Sequence, residues 1–235
     1  MRSFVGMNSV FGSEPEVVVL EMFYQFMKNY NYLLIDRDTR LAVIVDPAWE
    51  MDKVDLAVEQ AGAKLAGVLI THTHADHINL AKVVADRYKC PIWMSQAEAG
   101  FSGFEHPRLE TFEETPWLVG GLSIRPLFTP GHTPGCVCYM VGNNLFTGDV
   151  LFAEGCGTCP DTAAAYEMFE SLEFLKKYIK PSTKIFPGHS YGKIPGQYFS
   201  DLLYNNIYLQ FKDKNTFASF RLRKGQNRAK LFDFK

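Results

Sequence analysis

An α/β fold is predicted by three observations on the sequence: apolar runs alternate with amphipathic helical stretches, the runs are rich in β-branched residues and stop at glycine, proline or aspartate, and histidines cluster where runs stop. The third is the most informative. Ala66-Gly67-Val68-Leu69-Ile70 reads as a short buried strand, and Thr71-His72-Thr73-His74-Ala75-Asp76-His77 follows at once, placing three imidazoles and a carboxylate in the loop at its C-terminal end. Packing alone does not account for so dense a set of ligating side chains, and His74 and His77 are close enough to serve adjacent metals.

The elements follow in order. Val17 to Leu20 is a β-branched run, and Tyr32–Ile35 and Leu41–Val45 flank the turn residues Asp36 to Arg40, so a hairpin or meander opens the fold. Asp46-Pro47 stops the last of these strands. Met51 to Ala61 carries a helical apolar stripe (Val54, Leu56, Ala57, Val58, Ala61) ended by Gly62. After the histidine loop come a helix over Leu80–Tyr88, a strand over Pro91–Met94, a helical turn over Gln96–Phe101 and a polar, proline-containing loop from Gly103 to Pro116. A strand over Leu122–Phe128 runs into Thr129-Pro130-Gly131-His132-Thr133-Pro134-Gly135. A hairpin then pairs Val137–Val141 with Leu145–Thr147 across Gly142-Asn143-Asn144, and Gly148-Asp149 follows directly. Asp161 or Thr162 caps a helix that reaches Lys180 and stops at Pro181. A strand over Thr183–Phe186 leads to Pro187-Gly188-His189, and two helices and a basic tail complete the chain.

With 235 residues the chain is long enough for one large domain, expected over 1–235 with residues 191–235 as a helical, basic C-terminal extension. A formal net charge of −2 argues against nucleic acid or an anionic membrane as the partner of the whole surface. The N-terminus lacks a basic flank followed by an apolar segment, and no stretch is apolar for long enough to span a bilayer, so a soluble, cytoplasmic protein is expected. Cys90, Cys136, Cys138, Cys156 and Cys159 are an odd set and are read as reduced thiols.

Five of the six histidines, with Asp76 and Asp149, thus fall on loops after predicted strands, and only His106 stands apart. The succession Thr71–His77, Thr129–Gly135, Thr147-Gly148-Asp149 and Pro187-Gly188-His189 resembles the metallo-β-lactamase superfamily, and within it the glyoxalase II-like branch, over most of the chain. The resemblance implies an αββα four-layer sandwich. It also implies one metal on His72, His74 and His132, a second on Asp76, His77 and His189, and Asp149 as the bridge between them. Two zinc ions are expected, with iron or manganese also suited to imidazole and carboxylate donors.

Two such cations about 3.5–4 Å apart can share a hydroxide formed near neutral pH, and that hydroxide is the expected nucleophile. Asp76 and Asp149 then hold the reacting centre. No G-x-S-x-G serine motif is present. A thiol leaves readily, with a free pKa of roughly 8.5, so a thioester needs no strong general acid and is the favoured substrate.

The chain departs from the branch after Asp149. Hydroxyacylglutathione hydrolases and persulfide dioxygenases carry Lys or Arg after Gly-Cys-Gly, a cation that helps hold glutathione; here the segment reads Gly155-Cys156-Gly157-Thr158. Tyr191 matches the family's substrate-contacting tyrosine, so Tyr191, Cys156 and Thr158 are the candidate substrate contacts. Cys156 and Cys159 form a C-x-x-C that, taken alone, would suggest redox chemistry or another zinc. The Cys-Pro-Asp segment and the C-terminal stretch, with Ile207 where the family has proline, look most like the zinc hydrolases of bacterial polyketide assembly. There the thioester rides on an acidic acyl carrier protein. Arg221, Arg223, Lys224, Arg228 and Lys230 read either as a solvated face or as a docking patch for that partner. The competing readings are a hydroxyacylglutathione hydrolase, a non-haem iron persulfide dioxygenase using His72, His132 and Asp149, and a non-catalytic acyl-carrier-binding protein.

Overall fold

The structure, a computed structural model, describes residues 13–223. Strands β1 (Glu16–Tyr24), β2 (Met27–Ile35), β3 (Leu41–Val45), β4 (Lys64–Leu69), β5 (Ile92–Ser95) and β6 (Leu109–Phe112) form one sheet in sequence order. Its first three strands are the antiparallel meander expected from the turn residues. From β3 onward the pairs are parallel, because α1 (Met51–Gln60) and α3 (Ala81–Tyr88) carry the chain back across one face. The second sheet runs β12 (Gln197–Tyr198), β11 (Lys184–Pro187), β10 (Asn144–Gly148), β9 (Val137–Val141), β8 (Leu122–Phe128) and β7 (Trp117–Val119).

Alternation along the inner strands builds the core. Tyr32, Leu34, Val43 and Val45 face Ile124, Val137, Tyr139 and Phe146 between the sheets. The opposite face of β2–β5 packs on α1 and α3 through Leu33, Ile44, Val54, Val68 and Val84. The outer face of the second sheet packs on α5 (Thr162–Tyr178) and on α7 (Lys214–Arg221) through Leu145, Met168, Leu172 and Phe217. Helix, sheet, sheet, helix is the expected four-layer order.

Local details differ from the sequence expectation. The segment Gly103–Pro116 is not all loop, because Leu109–Phe112 adds to β5 as an edge strand. Its two central residues both face solvent, which erases the period-2 alternation that marks a strand. The histidine motif is not all loop either: Ala75–Ile78 forms a one-turn helix, α2, with Asp76 and His77 on it. In the C-terminal extension α6 (Phe199–Asn205), a 3-10 turn over Ile207–Leu209, and α7 are present, with Tyr208 and Phe217 inside the core between the second sheet and α5, the second core. That extension is part of the packing. Of the basic tail, Lys224, Arg228, Lys230 and Lys235 lie outside the described residues.

The two sheets are tied together at the end remote from the histidines by Asp36, which is fully buried. Its carboxylate accepts from Thr39 Oγ1 at 2.5 Å, from Gly121 N at 3.0 Å and from Ser13 Oγ at 2.8 Å. A Cβ on Gly120 would stand 2.4 Å from Thr39 Oγ1, so the tight turn there requires glycine. The Thr39 hydroxyl, the Gly121 amide and the Ser13 hydroxyl together hold the Asp36 carboxyl below the usual carboxylate range, against the opposing effect of burial. A depressed folded pKa gives stability that is present above the unfolded value, about 3.9, and is lost as pH falls toward the folded one. Asp36→Ala is therefore expected to cost about 1–3 kcal/mol for each buried donor it strands at neutral pH. The gap to the unaltered protein should narrow as pH drops through and below about 4. Denaturant unfolding at several pH values measures this, and a gap independent of pH would remove the charge of Asp36 from the account.

Candidate metal centre

The strand ends of both sheets meet along one edge of the sandwich, and the seven predicted ligands meet there. His72, His74, Asp76 and His77 follow β4, His132 follows β8, Asp149 follows β10 and His189 follows β11. His74 Nδ1 lies 3.1 Å from His72 Nε2 and 2.9 Å from His132 Nε2. His189 Nε2 lies 3.2 Å from Asp76 Oδ2, and His77 Nε2 lies 3.7 Å from the same oxygen. Asp149 stands between the two groups. Its Oδ2 is 3.5 Å from His132 Nε2, while its Oδ1 is 3.4 Å from His77 Nε2 and 3.6 Å from His189 Nε2.

These spacings fit metal ions. Donors at about 2.0–2.1 Å around a tetrahedral zinc lie roughly 3.4 Å from one another. Hydrogen bonding fits the same groups less well. His77 Nε2 and Asp149 Oδ1 are buried without a hydrogen-bond partner among the described residues, a cost that a shared cation removes. In the first group, His132 Nδ1 donates to the Thr158 carbonyl at 2.7 Å, and His72 Nδ1 lies 3.0 Å from Thr71 Oγ1. With those protons so placed, both Nε2 atoms keep a free lone pair, and with His74 Nδ1 they lie within 4.8 Å of one another.

The surroundings set the charge states. Burial pushes the pKa of His72 well down, and that of His132 down, favouring the neutral imidazole that binds metal. Burial would also lower His77, but the Asp149 and Asp46 carboxylates outweigh it and hold the pKa well above the usual value. His189 is raised in the same way by Asp149 and Asp76. Burial alone would raise Asp149 and Asp76. The facing imidazoles reverse this, chiefly His189 and His77 for Asp149 and the His189 hydrogen bond for Asp76, so both stay ionised. Two glycines make room for the centre: a Cβ on Gly188 would lie 2.5 Å from His77 Cε1, and one on Gly157 would lie 1.9 Å from the Asp149 carbonyl oxygen.

Residues that the sequence reading passed over brace the ligands. Asp46, buried at the end of β3, accepts from Thr71 N at 2.7 Å and Thr71 Oγ1 at 2.6 Å, and its Oδ2 lies 3.0 Å from His77 Nδ1. It adopts φ +49°, a left-handed conformation that aspartate tolerates better than most residues. Asn29 donates to Asp76 Oδ2 at 3.1 Å and accepts from Trp49 Nε1 at 3.1 Å, and Trp49 stacks on Tyr24 with centroids 4.5 Å apart. The indole N–H thus fixes which end of the Asn29 amide faces Asp76. Asn29→Leu is expected to weaken the metal held by Asp76, His77 and His189 by about 10–100-fold, with Trp49→Phe falling between it and the unaltered protein. Metal per chain after equilibrium dialysis measures this. Full retention in Asn29→Leu would remove the amide from the ligand's support.

The three candidate substrate contacts separate. Tyr191 is exposed at the rim, its ring 6.5 Å from that of His189 and 5.7 Å from that of Phe152. Thr158 is also exposed, and its carbonyl orients His132. Cys156 must be removed as a contact at the cleft surface: it is fully buried in the second core, and burial pushes its thiol far up. Cys159 is buried beside it with a thiol pushed up to about 12, so the C-x-x-C pair has neither the exposure nor the acidity of a reactive pair. Arg221 likewise leaves the expected docking patch, because it is buried and donates to Tyr208 Oη at 2.7 Å.

Comparison with known proteins agrees with this geometry. The metallo-beta-lactamase superfamily model matches residues 28–189. The chain is 42% identical over 222 residues to the probable polyketide biosynthesis zinc-dependent hydrolase BaeB of Bacillus velezensis, covering 94% of this chain and 98% of that protein. It is 38% identical over 214 residues to the probable polyketide biosynthesis zinc-dependent hydrolase PksB of Bacillus subtilis, covering 90% and 94%. The crystal structure of ETHE1 from Myxococcus xanthus superposes with a TM-score of 0.78 at 27% identity, covering 92% of this chain and 95% of that one. The four-layer sandwich, the ligand-bearing strand ends and these matches make the chain a member of the metallo-β-lactamase superfamily.

Proposed function

We propose that this protein is a dinuclear zinc hydrolase that cleaves acyl thioesters carried on an acidic acyl carrier protein. The observation that carries the reading is Asp149, whose two oxygens each face a separate group of ligands. A zinc pair held there supplies an activated water and a Lewis acid for the developing oxyanion. The residues of the chain do the rest. His72 and His132 present neutral donors and His74 completes their group, while Asp76 and Asp149 place negative charge between the histidine groups. His74 is the most exposed ligand and marks the open side of the centre. Burial, then the charges of Asp149 and Asp76, push the Tyr191 phenol up, so it stays protonated and can donate a hydrogen bond to a bound substrate.

A thioester suits this centre because its leaving group needs no proton from a strong acid. The names of the two Bacillus relatives support hydrolysis with zinc and a place in polyketide biosynthesis. Thr158, where related hydrolases carry a cation, favours a carrier other than glutathione. Lys193, Lys212 and Lys214, all exposed, supply positive charge to the C-terminal part of the chain and support an acidic partner.

The test is metal analysis followed by free-thiol release from acyl-carrier, acyl-CoA and acyl-glutathione substrates. Two zinc ions per chain and fastest release from the carrier are expected. Metal-replete protein that releases thiol from none of the three would end the thioester reading. Oxygen uptake with a persulfide substrate would replace it.

A further inference from the structure

We propose that Glu98 is a positioning residue that sets the spacing between the two ligand-bearing turns of the first metal group, His72 and His74 on one side and His132 on the other. The inference rests on the metal reading above. Glu98 lies on α4 (Gln96–Ser102), is fully buried, and is not itself among the ligand groups. Its Oε1 accepts from Thr73 N at 2.7 Å and from Thr73 Oγ1 at 2.6 Å. Its Oε2 accepts from Thr133 Oγ1 at 2.6 Å and from Gly135 N at 3.1 Å. Thr73 is the residue between His72 and His74, and Thr133 is the residue after His132.

One carboxylate therefore takes all its hydrogen bonds from the two turns whose imidazoles must converge. The chain is shaped to permit this. Ser95 caps α4 by accepting from Glu98 N at 3.0 Å and donates to the Gly135 carbonyl at 2.7 Å. A Cβ on Gly135 would stand 2.1 Å from Glu98 N, so only glycine lets the helix approach this closely. Burying a carboxylate is a costly way to join two turns, and an apolar contact would serve mere packing as well. What a carboxylate adds is four directed acceptor sites on a short, planar group, which fixes the turns in distance and in rotation. Glutamine cannot reproduce it, because its NH₂ would meet two of the four donors.

The second group owes nothing to Glu98: His77 is held by Asp46, Asp76 by Asn29, and His189 by the Lys28 carbonyl at 3.0 Å from its Nδ1. Loss of the brace should accordingly be felt at one metal and not the other. A role in folding alone would not discriminate between them.

The experiment measures stepwise zinc affinity against a competing chelator in full-length protein. Glu98→Gln is combined separately with His189→Ala, which leaves the first group intact, and with His74→Ala, which leaves the second. Glu98→Gln should weaken zinc by about 10–100-fold in the His189→Ala background and leave it unchanged in the His74→Ala background. Thr133→Val, which removes one of the four donors and keeps the charge, should weaken the same step by less, and it carries the test if Glu98→Gln does not fold. Equal weakening in both backgrounds, or none in the first, overturns the proposal. An unaltered protein that takes up no zinc would instead end the metal reading itself.

Discussion

Asp149→Ala is expected to bring metal content below one ion per chain and to reduce hydrolysis more than any single histidine change. Asp149 faces both proposed metal positions, with Oδ2 3.5 Å from His132 Nε2 and Oδ1 3.4 Å from His77 Nε2. Its removal also takes away a carboxylate that stands between the two histidine groups, and with it a donor to each side. Metal chemistry of this kind contributes several kcal/mol of transition-state stabilisation, and at 1.36 kcal/mol per decade its loss is roughly a thousandfold or more in rate. Metal analysis and thiol release measure the two halves of this result. Both metals retained with full activity would take Asp149 out of the bridging position.

The second large effect is expected at Asp46, which is buried behind the histidines. Its Oδ2 is 2.6 Å from Thr71 Oγ1 and 3.0 Å from His77 Nδ1, and Thr71 Oγ1 is in turn 3.0 Å from His72 Nδ1. One carboxylate therefore orients a ligand of the second group directly and a ligand of the first through a hydroxyl. Asp46→Asn keeps the size but brings an NH₂ group to one of these donors. The expected loss is about 10–100-fold in metal affinity, at both groups together. Asp46→Ala should in addition destabilise the fold by about 1–3 kcal/mol for each donor left buried and unpaired. Chelator competition on Asp46→Asn and denaturant unfolding of Asp46→Ala check the two parts. Loss of metal at one group alone would show that the Thr71 relay does not reach His72.

The contrast between Asp46 and Glu98 separates two kinds of support. Asp46 lies behind both groups, at the end of β3, and its change should affect both metals. Glu98 joins two turns from the side, and its change should affect one. Asn29 acts on the second group alone. Comparing zinc affinity across the three variants thus maps which part of the scaffold serves which ion.

The candidate ligands were legible in the sequence because His72, His74, Asp76 and His77 sit within six residues, and because His132, Asp149 and His189 each follow a strand at a turn rich in glycine or proline. Residue type and local spacing carry that information with no knowledge of the fold, and the strand and helix periods that define the four layers are local as well. The edge strand Leu109–Phe112 was not legible, since its pairing with β5 rather than its own alternation makes it a strand. The burial of Cys156 and Arg221 was not legible either: a thiol and a guanidinium read as reactive or exposed until α7 is packed against α5. Asp46, Glu98 and Asn29 are single polar residues without a motif, and their partners lie 20 to 47 positions away along the chain. Whether such a residue faces solvent or braces a ligand depends on the register of strands and the placing of a short helix. The sequence by itself therefore determined which side chains are the candidate metal ligands and that strand ends would carry them. Only the tertiary structure decided what holds them at ligand distance, because hydrogen bonds between remote segments exist only once the layers have packed.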